Sequence, residues 1–270
     1  MIRLAIRVER EHAELVLAEL LELAPSGVEE VAVGDDLVEY AVYGAPGELP
    51  ELPDLRAAAG PALVQISTEE IADDWSERWR DFHEPLVLDG RLTVRPPWEP
   101  PRGTPIDVVI DPGRAFGTGA HATTRLCLEL MLGAEPPAGS FVDLGCGSGV
   151  LAIAAAKLGW APVIALDYDP ASLAATVENA GANEVEIDVR RFDMRAGQVP
   201  RASLVAANVL VSPLLGWAAS MRECPNGLIL SGILTREADR VLAAFAARGY
   251  RERERRERAE WSALALALAG

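Results

Sequence analysis

Apolar and polar residues alternate from the start of the chain. Ile2, Leu4, Ile6 and Val8 fall on one side and Arg3 and Arg7 on the other, as along a half-buried strand. An amphipathic stretch near Glu11 to Leu23 has helical spacing, and the runs Val28 to Val33 and Val38 to Tyr43 pair as a hairpin across Gly34-Asp35-Asp36. After a Pro/Gly-rich stretch, Leu52 to Ala59 reads as a second helix, shortened by Pro50 and Pro53, and Ala62 to Ser67 as a fourth strand. Strand, helix, strand, strand, helix, strand is a ferredoxin-like order, expected over residues 1–70.

Residues 71–100 read as a connection. A short helix from Ala72 to Phe82 carries Trp75 and Trp79 at i and i+4 on one face, and Leu86 to Leu88, Leu92 to Arg95 and Val108 to Ile110 are short strands. From Ser140 onward strands alternate with helical segments: Phe141 to Leu144, Val163 to Leu166, Val185 to Val189, Leu204 to Ala207 and Gly227 to Ser231. That alternation predicts a doubly wound parallel sheet. The last two strands, Tyr250 to Arg256 and Ser262 to Leu268, follow too closely for a helical crossover and should form an antiparallel hairpin. The expected class is α/β, with a Rossmann-like, seven-stranded sheet over residues 101–270 preceded by a small α+β domain.

Composition narrows the partners. The net charge is −16, and residues 1–70 hold 15 acidic against 4 basic residues. Proteins that track nucleic-acid phosphates usually present a basic face, so a basic protein partner suits this chain better than direct nucleic-acid contact. No apolar run approaches the ~20 residues needed to cross a bilayer, and the alternating start has no signal-peptide pattern, so a soluble, cytoplasmic protein is expected, and a monomer is expected with it. Cys127, Cys146 and Cys224 are odd in number and far apart, which fits neither a disulfide framework nor zinc-ligand spacing. Arg251 to Arg258 alternates in sign and reads as a solvated edge strand.

The chemistry concentrates where the first strand of the large sheet ends, at Asp143-Leu144-Gly145-Cys146-Gly147-Ser148-Gly149-Val150-Leu151. Glycines there let the backbone turn close beneath a ligand, and the helix that follows offers unpaired N–H groups to an anion. Asp167, at the end of the next strand, is placed to accept the hydroxyls of a ribose. Gly147 to Ala152 also satisfies the dinucleotide pattern G-x-G-x-x-A, so spacing leaves an NAD-dependent oxidoreductase open. Asp143 before the first glycine, giving D-x-G-x-G-x-G, and the antiparallel closing strands resemble class I S-adenosylmethionine-dependent methyltransferases.

Upstream lies a second glycine-rich loop, Asp111-Pro112-Gly113-Arg114-Ala115-Phe116-Gly117-Thr118-Gly119-Ala120-His121-Ala122-Thr123-Thr124, running into a helix expected to begin around Thr124. It resembles the loop of the PrmA family, the ribosomal protein L11 methyltransferases, as do Asp143 to Gly149, Asp167 to Pro170, Glu178-Asn179, Ala207 to Leu210 and Ser231 to Leu234. The likeness runs from about Asp74 to the C-terminus. It departs at Ala122, where a proline is usual, and at Arg114, where an apolar residue is common. The resemblance implies that Thr124, Gly145, Asp167 and Asn208 bind S-adenosylmethionine, with Asp143 and Gly147 in the same turn. It implies further that Phe116, Gly117 and Thr118 cover the cofactor, and that Asn208 and Phe116 face the transferred methyl. It also implies a protein substrate, ribosomal protein L11, whose amines, lysine side chains or the N-terminal amine, attack the methyl in line. The acidic excess of the first domain, tethered to the catalytic fold, reads as a docking arm for that basic substrate. Related loops occur in lysine methyltransferases of other proteins, such as the electron-transfer flavoprotein beta subunit. A non-catalytic binding module is the remaining alternative, opposed by the intact Thr124, Gly145, Asp167 and Asn208. His121 reads as a hydrogen-bond partner rather than a general base, and the sequence shows no catalytic metal set, nucleophilic cysteine or Ser/His/Asp constellation.

Overall fold

The structure, a computed structural model, describes residues 2–13, 16–17, 20, 28–33, 36–44, 49–50, 52–70, 84–111, 121–134, 139–194 and 197–269. The chain forms two compact units, Met1–Phe82 and His83–Gly270. The expected helix over Ala72 to Phe82, with Trp75 and Trp79, lies outside the described residues, as does most of Glu11 to Leu23, of which Ala13, Val16, Leu17 and Leu20 are helical.

In the first unit β1 (Ile2–Glu9), β2 (Glu29–Val33), β3 (Leu37–Gly44) and β4 (Leu63–Glu70) form an antiparallel sheet in the order β2-β3-β1-β4, with α1 (Leu52–Ala59) between β3 and β4 in the chain. The period-two pattern of β1 puts Leu4, Ile6 and Val8 into a core with Val16, Leu20, Val38, Tyr40 and Leu55. On the other face Glu39 accepts from Arg3 at 2.5 Å and from Arg7 at 2.6 Å. The Arg3 guanidinium holds the Glu39 carboxyl below its ordinary value.

The second unit opens with a three-stranded sheet of β5 (Leu86–Leu88), β6 (Leu92–Arg95) and β7 (Ile106–Val109). Its main sheet runs β10-β9-β8-β11-β12-β14-β13. Those strands are β8 (Phe141–Leu144), β9 (Val163–Asp167), β10 (Asp188–Arg191), β11 (Leu204–Asn208), β12 (Gly227–Leu234), β13 (Tyr250–Arg258) and β14 (Trp261–Leu268). The strands from β10 to β12 are parallel, and β14 inserts antiparallel between β12 and β13. The helices are α2 (Ala122–Gly133), α3 (Val150–Lys157), α4 (Pro170–Ala182), α5 (Val211–Ser220) and α6 (Ala238–Ala246). Two apolar clusters, one around Leu126, Phe141 and Ile153 and the other around Val205, Leu214 and Phe245, cover the faces of the sheet. This is the α/β class read from the strand-helix alternation, including the closing hairpin. Among the described residues no helix is long and apolar enough to cross a membrane.

The boundaries that moved have local causes. The strand expected at Val185 to Val189 starts at Asp188, because Glu184 turns with φ 56° and the Val185 N–H returns to Ala180 O at 3.2 Å, closing α4. The strand expected at Val108 to Ile110 runs Ile106–Val109, its first residue bonded from Ile106 N–H to Arg91 O. Helix α2 starts two residues before Thr124, because the His121 side chain accepts from Thr123 N–H and caps it.

Candidate active site

Strand order reverses between β9 and β11 on either side of β8, and at such a switch point doubly wound sheets bind ligands in a crevice at the carboxyl ends of the strands. The glycine turn sits there. Gly145 and Cys146 donate to Leu166 O at 2.7 and 3.1 Å, and Gly145, Gly147 and Gly149 take φ of 80°, 54° and 82°. Two of these glycines are also demanded by space. A Cβ on Gly145 would lie 2.4 Å from Val209 Cγ1, and one on Gly149 would lie 2.8 Å from Thr176 Cγ2.

Asp143 and Asp167 brace this turn from either side. Asp143 is fully buried, its Oδ2 accepting from Ala152 N–H in the first turn of α3 at 3.0 Å, while its Oδ1 has no hydrogen-bond partner among the described residues. Burial pushes its carboxyl up to about 7, the Ala152 N–H opposing and the charge of Asp167 adding to the rise. Asp167 is half-buried, with Oδ2 accepting from Gly147 N–H at 2.9 Å and Oδ1 from Asp169 N–H at 3.0 Å. Each carboxylate oxygen has a second lone pair left for a ligand.

Asn208 ends β11 and donates from Nδ2 to Thr124 Oγ1 at 3.3 Å. Thr124 is fully buried in the first turn of α2. The segment after Asn208 is clamped as well. Val209 N–H donates to Ser231 O at 3.2 Å, Ser231 Oγ donates to Thr123 O at 3.2 Å, and a Cβ on Gly232 would lie 2.4 Å from Val209 O. Ser231-Gly232 thus fixes the backbone that carries Asn208, a role the sequence did not expose because it depends on a close approach between strands distant in the chain.

Asp143, Gly145, Gly147 and Asp167 thus meet at the glycine turn, and Asn208, whose neighbour Val209 abuts Gly145, holds Thr124, whereas Phe116, Gly117 and Thr118 lie outside the described residues. His121 Nδ1 lies 2.8 Å from Thr123 Oγ1, and burial lowers the imidazole pKa, with Glu260 opposing. A cleft of about 530 Å³ lined by Arg95, Asp107, Lys157 and Glu184 shares none of these residues.

Residues 53–268 match the family described as ribosomal protein L11 methyltransferase (PrmA). The chain belongs to this family. It is 40% identical over 221 residues to the ribosomal protein L11 methyltransferase of Pelotomaculum thermopropionicum, an alignment covering 79% of this chain and 71% of the relative. It is 35% identical over 272 residues to that of Burkholderia multivorans, covering 90% of each. The crystal structure of the ribosomal protein L11 methylase from Lactobacillus delbrueckii subsp. bulgaricus superposes with a TM-score of 0.64 at 28% identity, covering 70% of this chain and 100% of that one. This protein is accordingly a methyltransferase. The family match takes in Asp143, Gly145, Gly147, Thr124, Asp167 and Asn208, and also Thr176 and Ser231, two contact residues that sequence reading did not assign to the site.

Proposed function

We propose that the crevice binds S-adenosylmethionine and that the protein transfers its methyl group to amines of ribosomal protein L11, lysine side chains and the N-terminal amine among them. One observation carries this reading: residues within the span matched to the L11 methyltransferase family come together, from three strand ends and the first turn of α2, at the switch point of the sheet. The groups present suit that cofactor. The glycine turn leaves room for close approach, Asp167 retains acceptors for a ribose diol, and the unpartnered Asp143 Oδ1 suits the cationic end of a methionine moiety.

When bound, S-adenosylmethionine supplies a methyl group already activated on a sulfonium. The chain then has to align an amine and keep it unprotonated. Alignment contributes ~7–11 kcal/mol by intramolecular precedent, and Asn208, pinned by Thr124, offers its carbonyl oxygen to orient the amine. Desolvation lowers a lysine pKa, so a dry crevice supplies the neutral amine without a dedicated base. His121 is not assigned that task, since its Nδ1 is engaged with Thr123. We assign Phe116, Gly117 and Thr118 to covering the cofactor, with Phe116 beside the reacting methyl, and Gly147 to its backbone contact.

We read residues 1–70 as a ferredoxin-like domain that docks the basic substrate through its acidic excess, residues 71–100 as the connection, and residues 101–270 as the catalytic domain of a cytoplasmic monomer. The test is incubation of the purified protein with ribosomal protein L11 and S-adenosylmethionine, followed by mass spectrometry. Methylated lysines are expected, and no methyl addition to L11 would remove the reading.

A further inference from the structure

Helix α4 carries a buried polar stripe that the chemistry above does not use. Thr176, Asn179 and Asn183, the last at the C-cap that ends α4, are 0%, 3% and 6% exposed and recur at i, i+3 and i+7, which puts them on one face. Asparagine is a poor residue for a helix interior, because its amide competes with the helical backbone for hydrogen bonds. Here the amides serve other chains of the fold. Asn183 pairs with Val109 as a neighbouring strand would, Oδ1 accepting from Val109 N–H at 2.9 Å and Nδ2 donating to Val109 O at 2.5 Å. Asn179 Oδ1 accepts from Asp111 N–H at 2.9 Å, two residues further along the same edge. Its Nδ2 turns the other way and donates to Ser148 O at 2.9 Å, inside the glycine turn. Thr176 Oγ1 donates to the adjacent carbonyl, Gly147 O, at 3.0 Å.

Asn179 bonds to both glycine-rich segments, meeting the cofactor turn at Ser148 and the root of the second loop at Asp111. We propose that Asn179 is a positioning residue for cofactor binding, a single amide that locks the root of the Asp111 segment and the Gly145–Gly149 turn into one preset arrangement. The proposal rests on the reading of this crevice as the S-adenosylmethionine site. Its physical basis is preorganisation. A trans peptide directs its C=O and N–H to opposite sides, so holding the carbonyls of Gly147 and Ser148 against α4 fixes the planes of both peptides. Without the Asn179 amide the turn samples other orientations, and apparent affinity falls by the fraction of molecules still competent to bind. Asn183 makes no such link, since its partners are Val109 and its own helix.

The full-length protein is compared with N179A, N179D and N183A. N179D keeps an acceptor for Asp111 N–H but loses the donor to Ser148 O, so it cuts the link while preserving shape. A net hydrogen bond of ~1–1.5 kcal/mol translates to about tenfold weaker calorimetric affinity for S-adenosylmethionine in both Asn179 variants. KM for the cofactor should rise in step, and kcat should be largely recovered at saturating cofactor. N183A should lower Tm while leaving cofactor affinity within about twofold, as expected of a bond that does not reach the turn. In the cofactor-free proteins, amide hydrogen exchange at residues 144–152 should quicken in N179A and N179D and not in N183A. Wild-type affinity in folded N179D and N179A, or equal weakening by N183A, would overturn the proposal. Failure of the wild-type protein to bind S-adenosylmethionine would instead overturn the reading of the crevice itself.

Discussion

The backbone N–H of Gly147 donates to Asp167 Oδ2 at 2.9 Å, tying the middle of the glycine turn to the end of the neighbouring strand. Asp167 is therefore both a ligand acceptor under the proposed function and a brace for the turn that cradles the same ligand. Asp167→Ala should weaken S-adenosylmethionine binding at least tenfold, since charge-assisted hydrogen bonds contribute ~1.5–3 kcal/mol each. Asp167→Asn, which keeps one acceptor oxygen, should retain part of the affinity. Titration calorimetry on folded variants checks this, and unchanged affinity in Asp167→Ala would remove Asp167 from the site.

Gly145 marks where sequence reading stopped short. The motif predicts that a side chain there intrudes on the ligand, with folding spared, and Gly145→Arg should still abolish cofactor binding. In the structure the glycine also faces inward, with Val209 Cγ1 where the Cβ would stand and φ at 80°. Even Gly145→Ala must therefore displace the tip that carries Asn208. The left-handed backbone and the overpacking should together cost ~2–5 kcal/mol, a fall in Tm of roughly 4–20 °C. Thermal unfolding and turnover of Gly145→Ala measure the two effects, and wild-type values for both would refute the packing argument.

Motifs with a fixed offset from a strand end were legible because their spacing is local. Asp143, Gly145, Gly147 and Asp167 each sit at the end of a strand whose apolar run announced it, and the hairpin of β13 and β14 followed from the short connection between them. Contacts between segments far apart in the chain were not legible. Ser231 reaches Thr123 across 108 positions and Asn208 reaches Thr124 across 84. The Asn179-Asn183 pair did leave a sequence trace, two asparagines at i and i+4, one inside α4 and one at its C-cap, whose partners only the fold reveals.

Asp143 predicts a pH dependence with a definite sign. Its folded-state pKa of about 7 lies above the ordinary carboxyl value of 3.8, because burial disfavours the charged form. The folded protein thus holds this proton longer than the unfolded chain does. The resulting contribution to stability is present below the unfolded value and is lost as pH rises through about 7. A cationic ligand group beside Asp143 favours the carboxylate, so S-adenosylmethionine should bind more tightly as pH rises from ~6 to ~7.5, short of the titration of its own α-amino group near ~7.8. Calorimetry in buffers of different ionisation enthalpy should show proton release on binding, and Asp143→Asn should abolish the release. A pH-independent affinity with no proton release in the wild type would place the ligand's positive charge elsewhere.

The chain divides into two compact units with separate cores. Residues 1–70 carry a net charge of −11 out of −16, and every residue proposed for the cofactor site lies in the second unit. The second unit has its own extensive apolar clusters and owes none of its main-sheet pairing to the first. A protein beginning near Glu70 should therefore fold and bind S-adenosylmethionine with near wild-type affinity, yet methylate ribosomal protein L11 poorly. The lost quantity is effective concentration, because a docking domain on a tether converts encounter of the target amine with the crevice into an intramolecular step. The deficit should sit in kcat/KM for the protein substrate and shrink when a short lysine peptide replaces L11, since a peptide too small to span both units gains little from docking. It should also shrink in the full-length enzyme as salt rises, because exposed charges of opposite sign attract less when screened. Turnover on intact L11 by full-length and truncated protein, with cofactor affinity measured in parallel, is the deciding comparison. Equal turnover would show that the acidic unit contributes nothing to docking, and loss of cofactor binding would show instead that the catalytic unit depends on the first for its fold.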